Sequence, residues 1–238
     1  MPEKPNEISS TDDFEFAALR EAVNYRKSLV SEFSPCLSGS VIEVGAGIGQ
    51  ITSSLAALPL VREVLAIEPE AAFCREFRRL HPQLKLVEGV LDDLDPKQEG
   101  DAIVCVNVLE HIRDDDLELA KFARRLAARE GHLCLFVPAR QEIYAPLDKD
   151  FGHFRRYSRP GLREKLERSG FQVLRLDYFN FVGYFAWWLN FCVRKQRKFD
   201  AGAVRFFDRA IFPVGHWMES RLMRPPIGQS LLAIAKAK

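Results

Sequence analysis

The segment Val41–Thr52, VIEVGAGIGQIT, constrains this chain most. An apolar run that meets three glycines at alternate positions reads as a buried strand turning sharply into a helix. Gly45 permits the turn, Gly47 lets a ligand approach the backbone, and Gly49 lets the helix pack on the strand. The free N–H groups that open the helix then converge on one point, where a carboxylate is welcome.

The rest of the chain repeats this strand–helix alternation. Strands are expected at Ser40–Val44, Glu63–Glu68, Leu84–Gly89, Asp101–Val108, His132–Pro138, Phe171–Phe179 and Gln229–Ala237. Helices are expected over Gln50–Leu58, from Glu68 through Phe77, and from Asp114 to near Glu130 with Glu118 completing a capping box. A further helix is capped by Ser158 and closed by Gly170. Short links between them imply a doubly wound α/β fold around a parallel sheet. No crossover helix joins the last two strands, so the seventh is expected antiparallel and paired with the sixth. The intervening residues 180–226 are expected to be helical, because a structureless loop of that length is improbable. Residues 1–20 are polar and acidic and read as a flexible segment before a single domain over 21–238.

Composition narrows the function. A net charge of +1 gives no global argument for nucleic acid. Five scattered cysteines without a C-x-x-C pair argue against a disulfide framework or structural zinc, and suit a reducing cytoplasm. The N-terminus has no signal-peptide pattern. No apolar stretch reaches the length of about 20 residues that spans a bilayer.

The glycine spacing is G-x-G-x-G, with Gln50 where a dinucleotide site would carry its last glycine, so the turn leans away from NAD. Glu68 closes the second strand, where an acid can accept hydrogen bonds from both hydroxyls of a ribose. Glu88-Gly89-Val90-Leu91 ends the third strand and can hold an adenine. Asn107-Val108-Leu109-Glu110-His111 ends the fourth, under the centre of the site.

Together, VIEVGAGIGQIT, LAIEPE, DAIVCVNVLEHI and the strand after PPIGQSLLAIAKA resemble the class I S-adenosylmethionine-dependent methyltransferases, from about Tyr25 to Lys238. The resemblance implies a Rossmann-like, seven-stranded sheet with an antiparallel last strand, and S-adenosyl-L-methionine as cofactor. It implies that Gly45, Ala46 and Gly47 face the methionine part, with Glu43 at the head of the turn. Glu68, followed by Pro69, holds the ribose; Val90 and Leu91 lie at the adenine; Asn107 and Val108 lie beneath the sulfonium. Many relatives carry an acid at the position of Val90, a place that Asp92 or Asp93 can fill. The segments DKDFGHFRRYS and RPPIGQSL resemble a bacterial subgroup acting on small molecules, whose substrates the motif does not fix.

Methyl transfer from a sulfonium is an in-line displacement, and a base helps only if the acceptor is an alcohol, phenol or ammonium. His111 is placed to be that base or to cap the floor of the site. Glu110 and His111 can bind a divalent metal only with further ligands, and the sequence offers no cluster of them, so no metal is expected. In Asp148–Tyr157, His153 can take a proton, Arg155 or Arg156 can bind a carboxylate or phosphate, and Tyr157 can hydrogen-bond an acceptor. The alternative is that Asp148 and Asp150 pair with Arg155 and Arg156 to fold the loop.

The insertion 180–226 mixes aromatics with basic residues. It reads as a helical cap over the site or against a second subunit, in preference to an amphipathic lid on a membrane surface. Either way it walls an apolar acceptor pocket. The expected activity is methylation of a small, hydrophobic or lipid-like acceptor at oxygen, in the cytoplasm or at the inner membrane face. N- or C-methylation, a non-catalytic binding protein and an NAD-binding oxidoreductase stand as alternatives. A nucleic-acid methyltransferase is disfavoured by the lack of an N/D-P-P-Y-type tetrad.

Overall fold

The computed structural model describes residues 21–95, 97–222 and 224–238. The segment 1–20, expected to be flexible, lies outside the described residues.

Seven strands form one sheet in the order β3-β2-β1-β4-β5-β7-β6. They are β1 (Gly39–Val44), β2 (Val61–Glu68), β3 (Lys85–Glu88), β4 (Ala102–Val106), β5 (His132–Pro138), β6 (Phe171–Phe179) and β7 (Ser230–Ala237). The first five run parallel to one another, and β7 is antiparallel to both β5 and β6. The last strand therefore pairs with the sixth as expected, and is also wedged between β5 and β6.

Register places the working edge. Val44 lies opposite Ile67 and Cys105, and Glu68 opposite Glu88. Four strand ends, carrying the glycine turn, Glu68, Gly89 and Asn107, thus open onto one crevice, where open α/β sheets bind ligands.

Alternating side chains feed two core layers. Ile42, Ile103 and Leu133 face Phe122, Leu126 and Leu162. Val41, Val104 and Phe136 face Leu29, Phe33 and Phe212. The covering helices are α1 (Val23–Phe33), α2 (Gln50–Ala56), α3 (Ala71–Leu80), α4 (Asp115–Ala127), the short α5 (Pro146–Asp150) and α6 (Arg159–Arg168). Asp114 caps α4, its carboxylate accepting from Leu117 N–H at 3.1 Å. The cap falls one residue earlier than a box with Glu118 requires, and Glu118 pairs with Lys121 at 3.2 Å instead. Ser158 caps α6 by accepting from Gly161 N–H at 3.2 Å.

The insertion is helical. It comprises α7 (Phe181–Trp187), which continues as a π-helical turn through Val193, then α8 (Ala201–Phe206), a second π turn, and α9 (Phe212–Arg221). Asn180 and Asp200 cap α7 and α8. Asp208, only 2% exposed, reaches back to α1 and accepts from Asn24 N–H at 3.0 Å and Tyr25 N–H at 2.8 Å. It satisfies open N–H groups at that helix start and fixes the insertion over the end of the sheet.

Candidate active site

The half of the crevice beneath β1 and β2 is built mostly from backbone. Gly45, Gly47 and Gly49 have φ of +76°, +54° and +87°, which side-chain-bearing residues adopt only at a cost. Gly45 and Ala46 donate to the Ile67 carbonyl at 2.9 and 3.0 Å. A Cβ on Gly45 would stand 2.2 Å from Val108 Cγ2, so the turn and the β4 end are packed together. A Cβ on Gly49 would strike the rings of Phe77 and His81, so this glycine admits α3 and does not serve α2-to-strand packing.

Glu68 accepts from Gly47 N–H at 2.8 Å and from Glu70 N–H at 2.9 Å. Burial raises its pKa against the pull of those two bonds. Glu43 is 3% exposed, and burial, reinforced by the nearby Glu68 charge, pushes its carboxyl to about 8. One Glu43 oxygen is buried with no hydrogen-bond partner. Pro69 is exposed. Val90 is 51% exposed, whereas Leu91 is 1% exposed and packs in the core, so only Val90 of that pair offers its side chain to an adenine. Asp93 accepts from Val90 N–H at 2.8 Å and Asp92 pairs with Lys121 at 2.5 Å, so both acids that can replace the one missing at Val90 already have partners. Asn107 sits at φ +53°, an unusual conformation for a non-glycine residue and one that concentrates at functional sites.

The half beneath β4 and β5 is built from side chains around Asp148. Its carboxylate receives Arg156 Nε at 2.9 Å, Arg156 Nη2 at 2.8 Å, Ala145 N–H at 2.7 Å and His153 Nδ1 at 3.0 Å. Burial works to raise the Asp148 pKa, but the His153 bond and the Arg156 charge outweigh it and hold the group below its ordinary value. The Arg156 guanidinium lies 4.5 Å from the Trp187 ring centre. Arg155 pairs with Asp115 at 2.8 Å. Tyr157, 4% exposed, donates to Asp115 at 2.9 Å, and burial raises its pKa. Of the proposed loop pairs only Asp148–Arg156 forms; Asp150 pairs with Arg197. Tyr157 and Arg155 therefore hold the loop to α4, and neither presents an unengaged group to an acceptor.

His153 points its other ring nitrogen at Glu110, with Nε2 4.0 Å from Oε1. Its ring meets that of His111 edge-on, 4.7 Å between centres. The two histidines named from sequence thus come together with Glu110, which is fully buried. Beside them opens a cavity of about 650 Å³. It is lined by Asn107, Glu110, His153, Arg156 and Tyr25, and the insertion supplies Trp187, Phe191, Phe199, Phe206 and Phe207. Tyr25 and Asn180 escaped sequence reasoning, because one lies just after an acidic leader and the other reads as the start of the insertion. The unusual φ of +60° at Asn180 and its bond to Gln229 at 2.7 Å are visible only in three dimensions.

A family model described as "Methyltransferase domain" matches residues 16–176. The chain belongs to the methyltransferase-domain family. No curated protein matches it in sequence. Among solved structures, this methyltransferase resembles the methyltransferase bound to the Trm112 activator of Haloferax volcanii, at 14% identity and TM-score 0.62, covering 98% of this chain and 99% of that one. It also resembles an S-adenosylmethionine-dependent methyltransferase of Clostridium acetobutylicum, at 10% identity and TM-score 0.58, covering 94% and 98%. A mycolic acid cyclopropane synthase solved with SAH and CTAB matches at 17% identity and TM-score 0.59, covering 92% and 85%. The family makes the chain a methyltransferase, which sets aside the NAD alternative, and the fold it shares with S-adenosylmethionine-dependent enzymes makes that donor the one to compare with the site.

The cradle fits that donor. Its glycines leave the backbone open, and Glu68 is fixed at the end of β2 by two N–H groups. Glu43 places a buried oxygen with unused hydrogen-bonding capacity at the head of the turn. When bound, the donor supplies an activated methyl group; the chain's residues have only to orient the acceptor and exclude water.

Proposed function

We propose that this methyltransferase methylates an apolar, lipid-like acceptor at an oxygen atom. The observation that carries the reading is the composition of the cavity wall, which combines Asn107, Glu110 and His153 from the sheet end and its loops with Trp187, Phe191 and Phe199 from the insertion. An acceptor laid along it puts a polar head at the chemistry and a hydrophobic body among Trp187, Phe191 and Phe199. Asp148 orients the His153 ring through Nδ1, and Nε2 faces Glu110 at the cavity wall, a placement that supports removal of a hydroxyl proton there. Asn107 and Val108 support the floor, and Gly45, Ala46, Gly47, Glu68 and Val90 support the donor.

The test is product formation with amphiphiles that share a hydroxylated head and differ in chain length. The expected result is kcat/KM rising with chain length, and falling when the hydroxyl is replaced by an amine. Equal rates for short soluble and long-chain acceptors overturn the apolar part, and preference for the amine overturns the oxygen part.

A second observation favours contact with a membrane surface. Trp188, Leu189 and Val193 on the turn that continues α7, Phe206 on α8, Val214 and Trp217 on α9, and Leu222 just after it, are 40–64% exposed. Exposed Arg194, Lys195, Arg197 and Lys198 follow Val193 in the chain. Aromatics beside cations suit an anionic lipid interface. Among the described residues no helix is long and apolar enough to cross a membrane. Sedimentation with anionic vesicles is expected to carry the protein down at low salt. A protein that stays in the supernatant and doubles in mass with concentration instead places a second copy on this face.

A further inference from the structure

We propose that Glu110, His111 and His153 form a binding site for a divalent transition-metal cation. The sequence supplies two of these ligands side by side, and the fold brings in the third from across the Asp148 loop. Their ligand atoms all lie within 4.8 Å of one another. A point within about 2.8 Å of all three therefore exists, and side-chain rotation of well under 1 Å closes each contact to the usual metal distance of about 2.1 Å.

His153 carries the strongest argument. Its side chain is 7% exposed, and its Nε2 is buried without a hydrogen-bond partner. The opposite nitrogen is committed to Asp148 at 3.0 Å, and Asp148 is held in turn by Arg156 and the Ala145 N–H. That bond fixes the ring's orientation, so Nε2 faces the Glu110 carboxyl group 4.0 Å away. A cation held between the two would give the buried Nε2 the partner it lacks. A carboxylate that accepts the far N–H of an imidazole is also the usual support of a metal-bound histidine.

The remaining geometry agrees. Gly152, at φ +78°, turns the chain so that its own substituent position lies 3.9 Å from His111 Nδ1, which brings the loop down over that ring. His111 is exposed, giving a cation a way in, while Glu110 and His153 line the cavity. Two imidazoles and one carboxylate suit zinc, manganese, iron or cobalt better than calcium or magnesium, which prefer all-oxygen sets. Three protein ligands leave positions open toward the cavity. There the cation would hold the acceptor's oxygen, with His153 serving as ligand in place of proton acceptor; this use, unlike the binding itself, rests on the function proposed above.

The test is titration of the untagged, metal-stripped full chain with Co²⁺, followed by visible absorption and calorimetry, in the absence of donor and acceptor. The expected result is one Co²⁺ per chain, displaced by Zn²⁺, with affinity at least tenfold weaker in both His111→Ala and His153→Ala when circular dichroism shows each variant folded. No uptake at millimolar Co²⁺, or uptake that survives either substitution unchanged, overturns the proposal. Should His153→Ala fail to fold, His111→Ala decides alone, because its side chain is exposed. Donor binding measured on the same stripped protein tests the methyltransferase reading separately, so one can fail while the other stands.

Discussion

The two halves of the crevice are made differently. The donor half, between β1 and β2, is backbone: three positive-φ glycines, N–H groups turned inward, and one acid at a strand end. The acceptor half, between β4, β5 and the insertion, is side chain: a buried Asp148 that organises Arg156, His153 and the loop around them. Backbone sites tolerate substitution at almost every side chain yet fail at a glycine. Side-chain hubs tolerate changes at their edges and fail at their centre. A donor shared across a family suits the first construction, and acceptors that differ from enzyme to enzyme suit the second.

The largest expected effect comes from emptying the hub. Asp148→Ala leaves the Arg156 guanidinium, 2% exposed, without its carboxylate, and is expected to cost about 3–5 kcal/mol in denaturant unfolding. If the halves are independent, donor affinity by calorimetry changes by less than threefold while acceptor turnover is lost. A parallel loss of donor binding breaks the division. Gly45→Val is expected to do the reverse: it drives a side chain into Val108 at a left-handed position, costs about 2–4 kcal/mol, and abolishes donor binding.

A third expectation concerns pH. Glu43 has a folded pKa of about 8 against an ordinary 4.5, so between those values the folded state holds more proton than the unfolded one. Its contribution to stability is therefore full below pH 4.5 and is lost as pH rises toward 8, at up to about 1.4 kcal/mol per pH unit. Glu43→Gln should flatten that slope in thermal melts taken across the window; an unchanged slope assigns it to other groups. The smallest effect on stability is expected on the outer face. Trp217→Ser with Leu222→Ser should shift unfolding by less than about 0.5 kcal/mol per site and still abolish vesicle binding.

The same contrast explains what could be read from sequence. The glycine turn, Glu68, and the strand ends at Val90 and Asn107 are local signals, each a few residues long and fixed by strand geometry. The parallel sheet follows from them, and the donor follows from the family resemblance they carry, whereas the place of β7 between β5 and β6 shows only in the folded chain. Tyr157 and Arg155 look equally functional as letters, but their partner Asp115 lies some forty residues away, and only packing shows that they clamp the loop to α4. Leu91 reads as a ligand contact because it follows the third-strand glycine, yet the short helical turn at Leu91–Asp93 rotates it into the core. The third member of the Glu110–His111 cluster was out of reach for the same reason: His153 arrives from a separate loop. Polar partners separated in sequence carry no periodicity, so nothing in the pattern marks them before the chain is folded.

The wedge of β7 between β5 and β6 has a consequence for biosynthesis. A ribosome emits β1 through β5 in an order that lets each lie beside a strand already made. β6 finds no place, because among the described residues its only sheet neighbour is β7. Until Ala237 has emerged, β6 and the insertion that follows it have no sheet to close against, and their aromatic faces stay available to chaperones or to a lipid surface. Assembly is thus completed from the tail, and the acceptor chamber is the last compartment of the molecule to come into existence.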